Sequence, residues 1–99
     1  MPAYMVFIRE NPVHDSEEMA VYQAMNRENV PAFMPFNIKP LVVYGATEAI
    51  EGDAPDGINI LEFPTVEDAK AFYNSPEYQR ALPHRVSAAE YRAFIVQGL

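Results

Sequence analysis

Residues 41 to 63 read LVVYGATEAI-EGDAPDG-INILEF, two apolar runs, Leu41 to Ile50 and Ile58 to Phe63, on either side of a segment of turn formers. Glu51-Gly52-Asp53-Ala54-Pro55-Asp56-Gly57 combines glycines that accept positive φ, a proline of fixed φ and aspartates that bond their own backbone. The stretch predicts a β-hairpin, with Gly45 marking a bend or bulge in its first strand. Each flank adds a helix and then a strand. Downstream, Pro64-Thr65 opens a helix with Thr65 as N-cap, Asp68 at the third position and Val66, Ala69, Phe72 and Tyr73 as its apolar stripe. Ser75-Pro76-Glu77 restarts a helical turn through cap, proline and acid, and carries Tyr78 and Leu82 up to Pro83. Tyr91 to Gln97, YRAFIVQ, is the last strand. Upstream, residues 3 to 9, AYMVFIR, form the first strand, and Asp15 with Glu18 three positions on starts a helix that bears Met19, Val21, Tyr22 and Met25 and runs to about Asn29. Pro31 then begins a second short helical segment over Val30 to Met34, ended by Pro35. The order β-α-β-β-α-β is the α+β, ferredoxin-like arrangement, a four-stranded antiparallel sheet with the helices on one face.

A sheet covered on one face alternates apolar and polar residues, but here both faces are apolar. The first strand sets Tyr4, Val6 and Ile8 against Ala3, Met5 and Phe7; the last sets Tyr91, Ala93 and Ile95 against Phe94 and Val96. Helices cover one of these faces. The other predicts a partner, most simply a second copy in a two-fold homodimer joined through the open sheet face. The bulk numbers agree: 99 residues, 49% hydrophobic and 21% charged, fit one folded domain over residues 1–99 and not an acidic disordered tail. The absence of cysteine removes disulfides, thiolate metal sites and cysteine nucleophiles. Seven Lys and Arg scattered from Arg9 to Arg92 offer no basic stripe for nucleic acid. No apolar run reaches the roughly 18 residues of a membrane span, and MPAYMVFIRE lacks a basic n-region, so no membrane partner and a cytoplasmic location are expected. The net charge of −7 reads as solubility of the outer helices and the hairpin tip.

Glu62-Phe63-Pro64-Thr65-Val66-Glu67-Asp68-Ala69-Lys70-Ala71-Phe72-Tyr73-Asn74-Ser75-Pro76-Glu77-Tyr78, followed by Leu82-Pro83-His84-Arg85, resembles the DUF1330 family of the dimeric α+β barrel superfamily. The string EFPTVEDAKAFYNSPEYQ, with Arg85 behind it, carries the resemblance. It implies the same fold, a dimer and a pocket between sheet and helices; it implies no particular reaction. Some members of the wider superfamily perform cofactor-independent oxygenation, isomerisation or decarboxylation of aromatic or lactone substrates, which leaves enzyme activity open and calls for no cofactor. The chain also departs from the family pattern. Asn37-Ile38-Lys39-Pro40 stands where a Gly-Gly pair usually begins the second strand, Tyr44 replaces an arginine, and only Gly45 remains of a later Gly-Gly.

The candidate chemistry concentrates on few residues. His84-Arg85 sets a titratable imidazole beside a fixed cation, which suits an anionic substrate such as a carboxylate or enolate. The structural alternative has Arg85 pairing with an acid to pin the loop after the second helix and His84 simply exposed. Tyr73, Ser75 and Tyr78 lie on consecutive turns and offer hydroxyls to an oxygen-rich ligand, although Ser75 equally serves as a cap. Arg9 and His14 emerge near the end of the first strand, where with His84 they would form a site if the fold converged them. If the protein is an enzyme, the expected reaction is a proton transfer, with Arg85 holding the anion and His84, His14 or Tyr73 as acid or base. The rival is a non-catalytic module whose dimer is its function. No metal is expected, because two histidines without spaced carboxylates are a poor ligand set and the acids at the hairpin tip lack calcium-loop order. Haem chemistry would need an axial histidine on a helix, and a proline general base would need Pro2 as a free terminus.

Overall fold

The computed structural model describes all 99 residues. Its elements are β1 (Ala3–Arg9), α1 (Ser16–Glu28), a short α2 (Val30–Phe33) running into a 3-10 turn (Met34–Phe36), β2 (Lys39–Val43), β3 (Gly57–Phe63), α3 (Val66–Tyr73), α4 (Pro76–Ala88) and β4 (Tyr91–Gln97). The strands pair antiparallel in the order β2-β3-β1-β4, the ferredoxin-like topology. The three expected caps all form. Asp15, Thr65 and Ser75 each accept the backbone N–H three residues on, from Glu18, Asp68 and Tyr78, and so satisfy donors that the first helical turn leaves free.

Register decides which residues meet the helices. Met5 lies opposite both Leu61 and Ile95, and Phe7 opposite Asn59 and Ala93, so one row per strand shares a face. Met5, Phe7 and Phe63 from that face pack with Ala69 and Phe72 of α3 and Tyr78 of α4. Phe72 sits at the centre, edge-on to Phe33 at 4.9 Å between ring centroids and close to Phe63 and Tyr78. Full burial of such a ring is worth about 1.5–3 kcal/mol. The opposite face holds Val6 and Ile8 of β1, Ile58 and Ile60 of β3, and Phe94 and Val96 of β4. None of these is buried, and Phe94 and Val96 stand 45% and 47% exposed. The chain is a slab with extents of 35 × 35 × 17 Å, helices above and this apolar sheet face below.

The short helical segment expected to end at Pro35 runs through it as the 3-10 turn Met34–Phe36, with the proline at an early helical position where its missing N–H costs nothing. Two longer elements also differ from the sequence reading. The strand expected to run from Leu41 to Ile50 ends at Val43, because Tyr44 turns into the left-handed region at φ 51. Beyond it, Ala46, Glu48 and Ala49 have poor strand propensity and Ile50 is 94% exposed, so nothing holds that stretch in the sheet. The register shift in β2 falls between Pro40 and Val42 and not at Gly45.

The last helix does not stop at Pro83 but continues to Ala88. Proline removes one helical hydrogen bond and clashes with the preceding turn, a cost of about 3 kcal/mol. Packing on α1 outweighs it: Ala81, Arg85 and Ala88 are buried along the same side of α4, and Ala88 joins Met19 in a second apolar cluster. Arg85 therefore belongs to a helix and not to the loop after it. Because the Pro83 ring is exposed and anchors nothing, Pro83→Ala is expected to raise stability by about 2 kcal/mol, the helical gain less the added freedom of the unfolded chain. A urea denaturation midpoint that fails to rise would show that the ring stabilises the fold in some other way.

Candidate functional site

The inward face of α4 repeats at Tyr78, Ala81, Arg85 and Ala88, the spacing of one helical stripe. Small alanines let α4 lie close to its neighbours, and between them Tyr78 and Arg85 reach a half-open cavity of about 360 Å³ between α1, α4 and the sheet. Phe7, Leu61 and Phe72 give it an apolar floor; Tyr22 and Asn26 of α1, with Tyr44, Asn59 and Tyr91 at the strand ends, give it polar edges.

Arg85 is only 6% exposed. Its guanidinium carbon lies 4.8 Å from the centroid of the Tyr91 ring and 5.3 Å from that of Phe7. No carboxylate accompanies it. The ion pairs of the molecule are Arg9–Asp56 and Arg92–Glu10, the Glu18 carboxylate is hydrogen-bonded to His84, and Arg85 Nε is buried without a hydrogen-bond partner. On the same cavity wall, Asn26 Oδ1 is also buried and unpartnered.

Two pairs of tyrosine hydroxyls flank this cation. Tyr22 and Tyr78 share a hydrogen bond of 2.8 Å, Tyr44 and Tyr91 one of 2.7 Å. Burial pushes the hydroxyls of Tyr22, Tyr44 and Tyr78 above their ordinary pKa near 10; the neighbouring tyrosine adds to this at Tyr22 and Tyr44, while Arg85 or Arg9 acts the other way. All three therefore stay protonated in neutral solution and serve as hydrogen-bond donors, not as bases. The linkage has a defined sign: the stability these groups contribute is complete below about pH 10 and is lost as pH rises past it, where the unfolded chain ionises and the folded one resists. The urea midpoint should fall as pH rises above about 10, less steeply in Tyr22→Phe; equal slopes would contradict the burial of that hydroxyl.

Tyr44 reaches Tyr91 because of a local device. Its ring lies over Gly57, where a Cβ would come within 2.7 Å of Tyr44 Cδ1. Its N–H is held by the Ile58 carbonyl and the Asn59 side-chain oxygen. From behind, the Arg9 guanidinium stacks 4.6 Å from the centroid of the Tyr44 ring, donates to the Tyr91 hydroxyl at 3.1 Å and is neutralised by Asp56.

The structure separates the residues named from the sequence. Tyr78 and Arg85 line the cavity together, and Arg9 backs it through Tyr44 and Tyr91. Tyr73 stacks on Tyr78 at 5.5 Å but opens on a different cleft of about 310 Å³ beside Lys70 and Phe94. Ser75 is occupied as a cap, accepting from Tyr78 N–H and donating to the Phe72 carbonyl. His84 lies on α4, but its Nδ1 bonds Glu18 of α1 and it does not face the cavity. His14 is exposed, with only its backbone N–H engaged, by Ala88. Arg9, His14 and His84 thus hold separate partners and do not meet, and no three His, Asp or Glu side chains form a metal-binding group. Asn26, Tyr22 and Tyr91 were not singled out by the sequence. The usable signal was a tyrosine at positions that otherwise carry purely apolar residues, since a buried phenol needs a polar partner.

A family model described as a domain of unknown function, DUF1330, matches residues 2–99. The chain belongs to the DUF1330 family. No curated protein matches this DUF1330 chain. Among solved structures it is similar to a protein of unknown function from Rhodopseudomonas palustris, at TM-score 0.71 and 20% identity, covering 99% of this chain and 82% of that one. It is also similar to a dimeric ferredoxin-like protein of unknown function from Jannaschia, at TM-score 0.69 and 11% identity over 99% and 100% of the two chains. A more distant likeness is SnoaB, a cofactor-independent oxygenase from Streptomyces nogalater, at TM-score 0.54 and 11% identity over 99% and 92%. At these identities the likeness is one of fold. No helix of the DUF1330 chain is long and apolar enough to cross a membrane.

Proposed function

We propose that this DUF1330 protein is a homodimer, joined through its open sheet faces, that binds a small aromatic anion in the cavity between sheet and helices, with Arg85 as the anion-binding group. One observation carries the reading: a buried guanidinium on a cavity wall with no carboxylate to neutralise it. Burying a charge costs several kcal/mol unless it is paired, and neighbouring rings offset this only in part. A carboxylate or phenolate would complete the pairing, an aromatic ring would suit the Phe7, Leu61 and Phe72 floor, and the protonated tyrosines would donate hydrogen bonds to the anion. A purely structural role for Arg85 would call for an acid beside it.

The dimer rests on the continuous apolar face of Val6, Ile60 and Phe94, rimmed by the Arg92–Glu10 ion pair at one end and by Lys39 opposite Glu62 at the other, an apolar core within a polar border. That a fold neighbour from Jannaschia is dimeric agrees with it. Proton-transfer or oxygenation chemistry has less support: the cavity holds no histidine, and its tyrosines, raised by burial, are weaker acids than a free phenol and lack the ionised form a base needs, so they suit hydrogen-bond donation. Isothermal titration with benzoate, set against uncharged benzyl alcohol, tests the binding role. Benzoate should bind and the alcohol should bind at least tenfold more weakly. Equal affinities, or no heat with either, would remove Arg85 from the function.

A further inference from the structure

Arg85 Nε is one of two orphaned polar atoms in the cavity wall. The other is Asn26 Oδ1, an acceptor. Asn26 stands four residues after Tyr22, one turn along the cavity-facing side of α1, and both line the same space as Arg85. The Tyr22 hydroxyl, on the same helix, pairs with Tyr78 at 2.8 Å, and no donor reaches Asn26 Oδ1. The cavity therefore presents two complementary demands. A cation with an unfilled N–H asks for an anion, and a carboxamide oxygen asks for an O–H or N–H donor.

Resting on the anion-binding reading of this cavity, we infer that the ligand class is a hydroxylated aromatic acid: its carboxylate pairs with Arg85, its ring lies on the floor of Phe7, Leu61 and Phe72, and its hydroxyl donates to Asn26. A simple aromatic acid answers Arg85 and leaves the Asn26 oxygen buried without a donor. A phenol alone answers Asn26 and leaves the cation bare. Buried groups left unpaired are what make such sites discriminate strongly, more so than the loss of apolar contact does. The Tyr22–Tyr78 pair adds to the fit. Only one of its two hydroxyl protons is used within the pair, so the other remains for a carboxylate oxygen.

The test is an isothermal titration of the full chain with benzoate and with the 2-, 3- and 4-hydroxybenzoates, repeated on Asn26→Leu. At least one hydroxybenzoate isomer should bind the wild type about tenfold or more tightly than benzoate. Asn26→Leu should abolish the preference, bringing the ratio of the two affinities to about one, with far-UV circular dichroism and an unchanged cooperative melt showing that the variant is folded. If all three isomers match benzoate in the wild type, the Asn26 assignment is overturned and the Arg85 site stands. A loss in Asn26→Leu that is equal for benzoate and the preferred isomer overturns it as well. If none of the four acids binds, the anion site itself fails, and this inference with it.

Discussion

Arg85→Met is expected to make the ligand-free protein more stable and to abolish its binding of benzoate. The substitution removes a guanidinium that is buried without a counter-charge. Its desolvation costs several kcal/mol, of which the rings of Phe7 and Tyr91 return about 1–2 kcal/mol each. Methionine has a similar unbranched stem and keeps favourable contact with the same rings at about 1 kcal/mol. The balance favours the variant by about 1–2 kcal/mol, which for a domain of this size raises Tm by about 4–8 °C per kcal/mol. Benzoate affinity should fall at least a hundredfold, the loss of a charge-assisted pair in a low-dielectric site. Differential scanning calorimetry without ligand and titration with benzoate read the two effects separately. A protein that loses stability on this change would identify Arg85 as a structural residue after all.

Val6→Glu should leave the fold intact and yield a monomer where the proposed sheet-to-sheet homodimer forms in the wild type. Val6 occupies the middle of the open sheet face, opposite Ile60 on one side and Phe94 on the other, so a partner sheet seated there would bury it. A carboxylate buried without a partner costs about 3–5 kcal/mol, and two-fold symmetry places one on each side of the interface. Association should weaken by at least a thousandfold, enough to leave only monomer at micromolar concentration by sedimentation velocity. In the monomer the side chain is open to water, so circular dichroism should change little. Phe94→Glu, on an edge strand where helix packing is least affected, provides the same readout if the central strand tolerates the charge poorly. A wild-type protein that sediments as a monomer, or variants that remain dimeric, would refute the sheet-to-sheet interface.

What could be read from the residues divides along physical lines. β1 and β4 were legible to the residue because AYMVFIR and YRAFIVQ are dense in aromatic and β-branched side chains and end at proline-bearing or polar segments. The caps were legible because Asp15, Thr65 and Ser75 act on backbone three residues away, a local interaction. β2 was overextended because Ala46, Ala49 and Ile50 count as apolar without any neighbour to pack on. α4 was cut short because a proline rule is local, while the packing of Ala81 and Ala88 that overrules it is not. That second error hid the cavity. With Arg85 assigned to a loop, a nearby acid was its natural partner; on the helix it comes two turns after Tyr78, facing inward. The tyrosine pairs join residues 47 and 56 positions apart and could be seen only in three dimensions.

Tyr44 has a consequence of a different kind. It sits just past the last residue of β2, in a backbone conformation that costs a non-glycine residue about 1–2 kcal/mol, and its ring rests on Gly57 without belonging to either apolar core cluster. It closes one edge of the cavity while contributing little to the framework that holds the chain together. Position 44 is thus a point at which this scaffold can change the size and polarity of what it accommodates and leave its architecture untouched. An arginine at this position would bring a second fixed cation to the rim from the turn after β2; in this chain the position supplies a phenol, and the cation beside it is Arg9, already claimed by Asp56. Selectivity would then change through one side chain at the rim, with Arg85 left in place on the cavity wall.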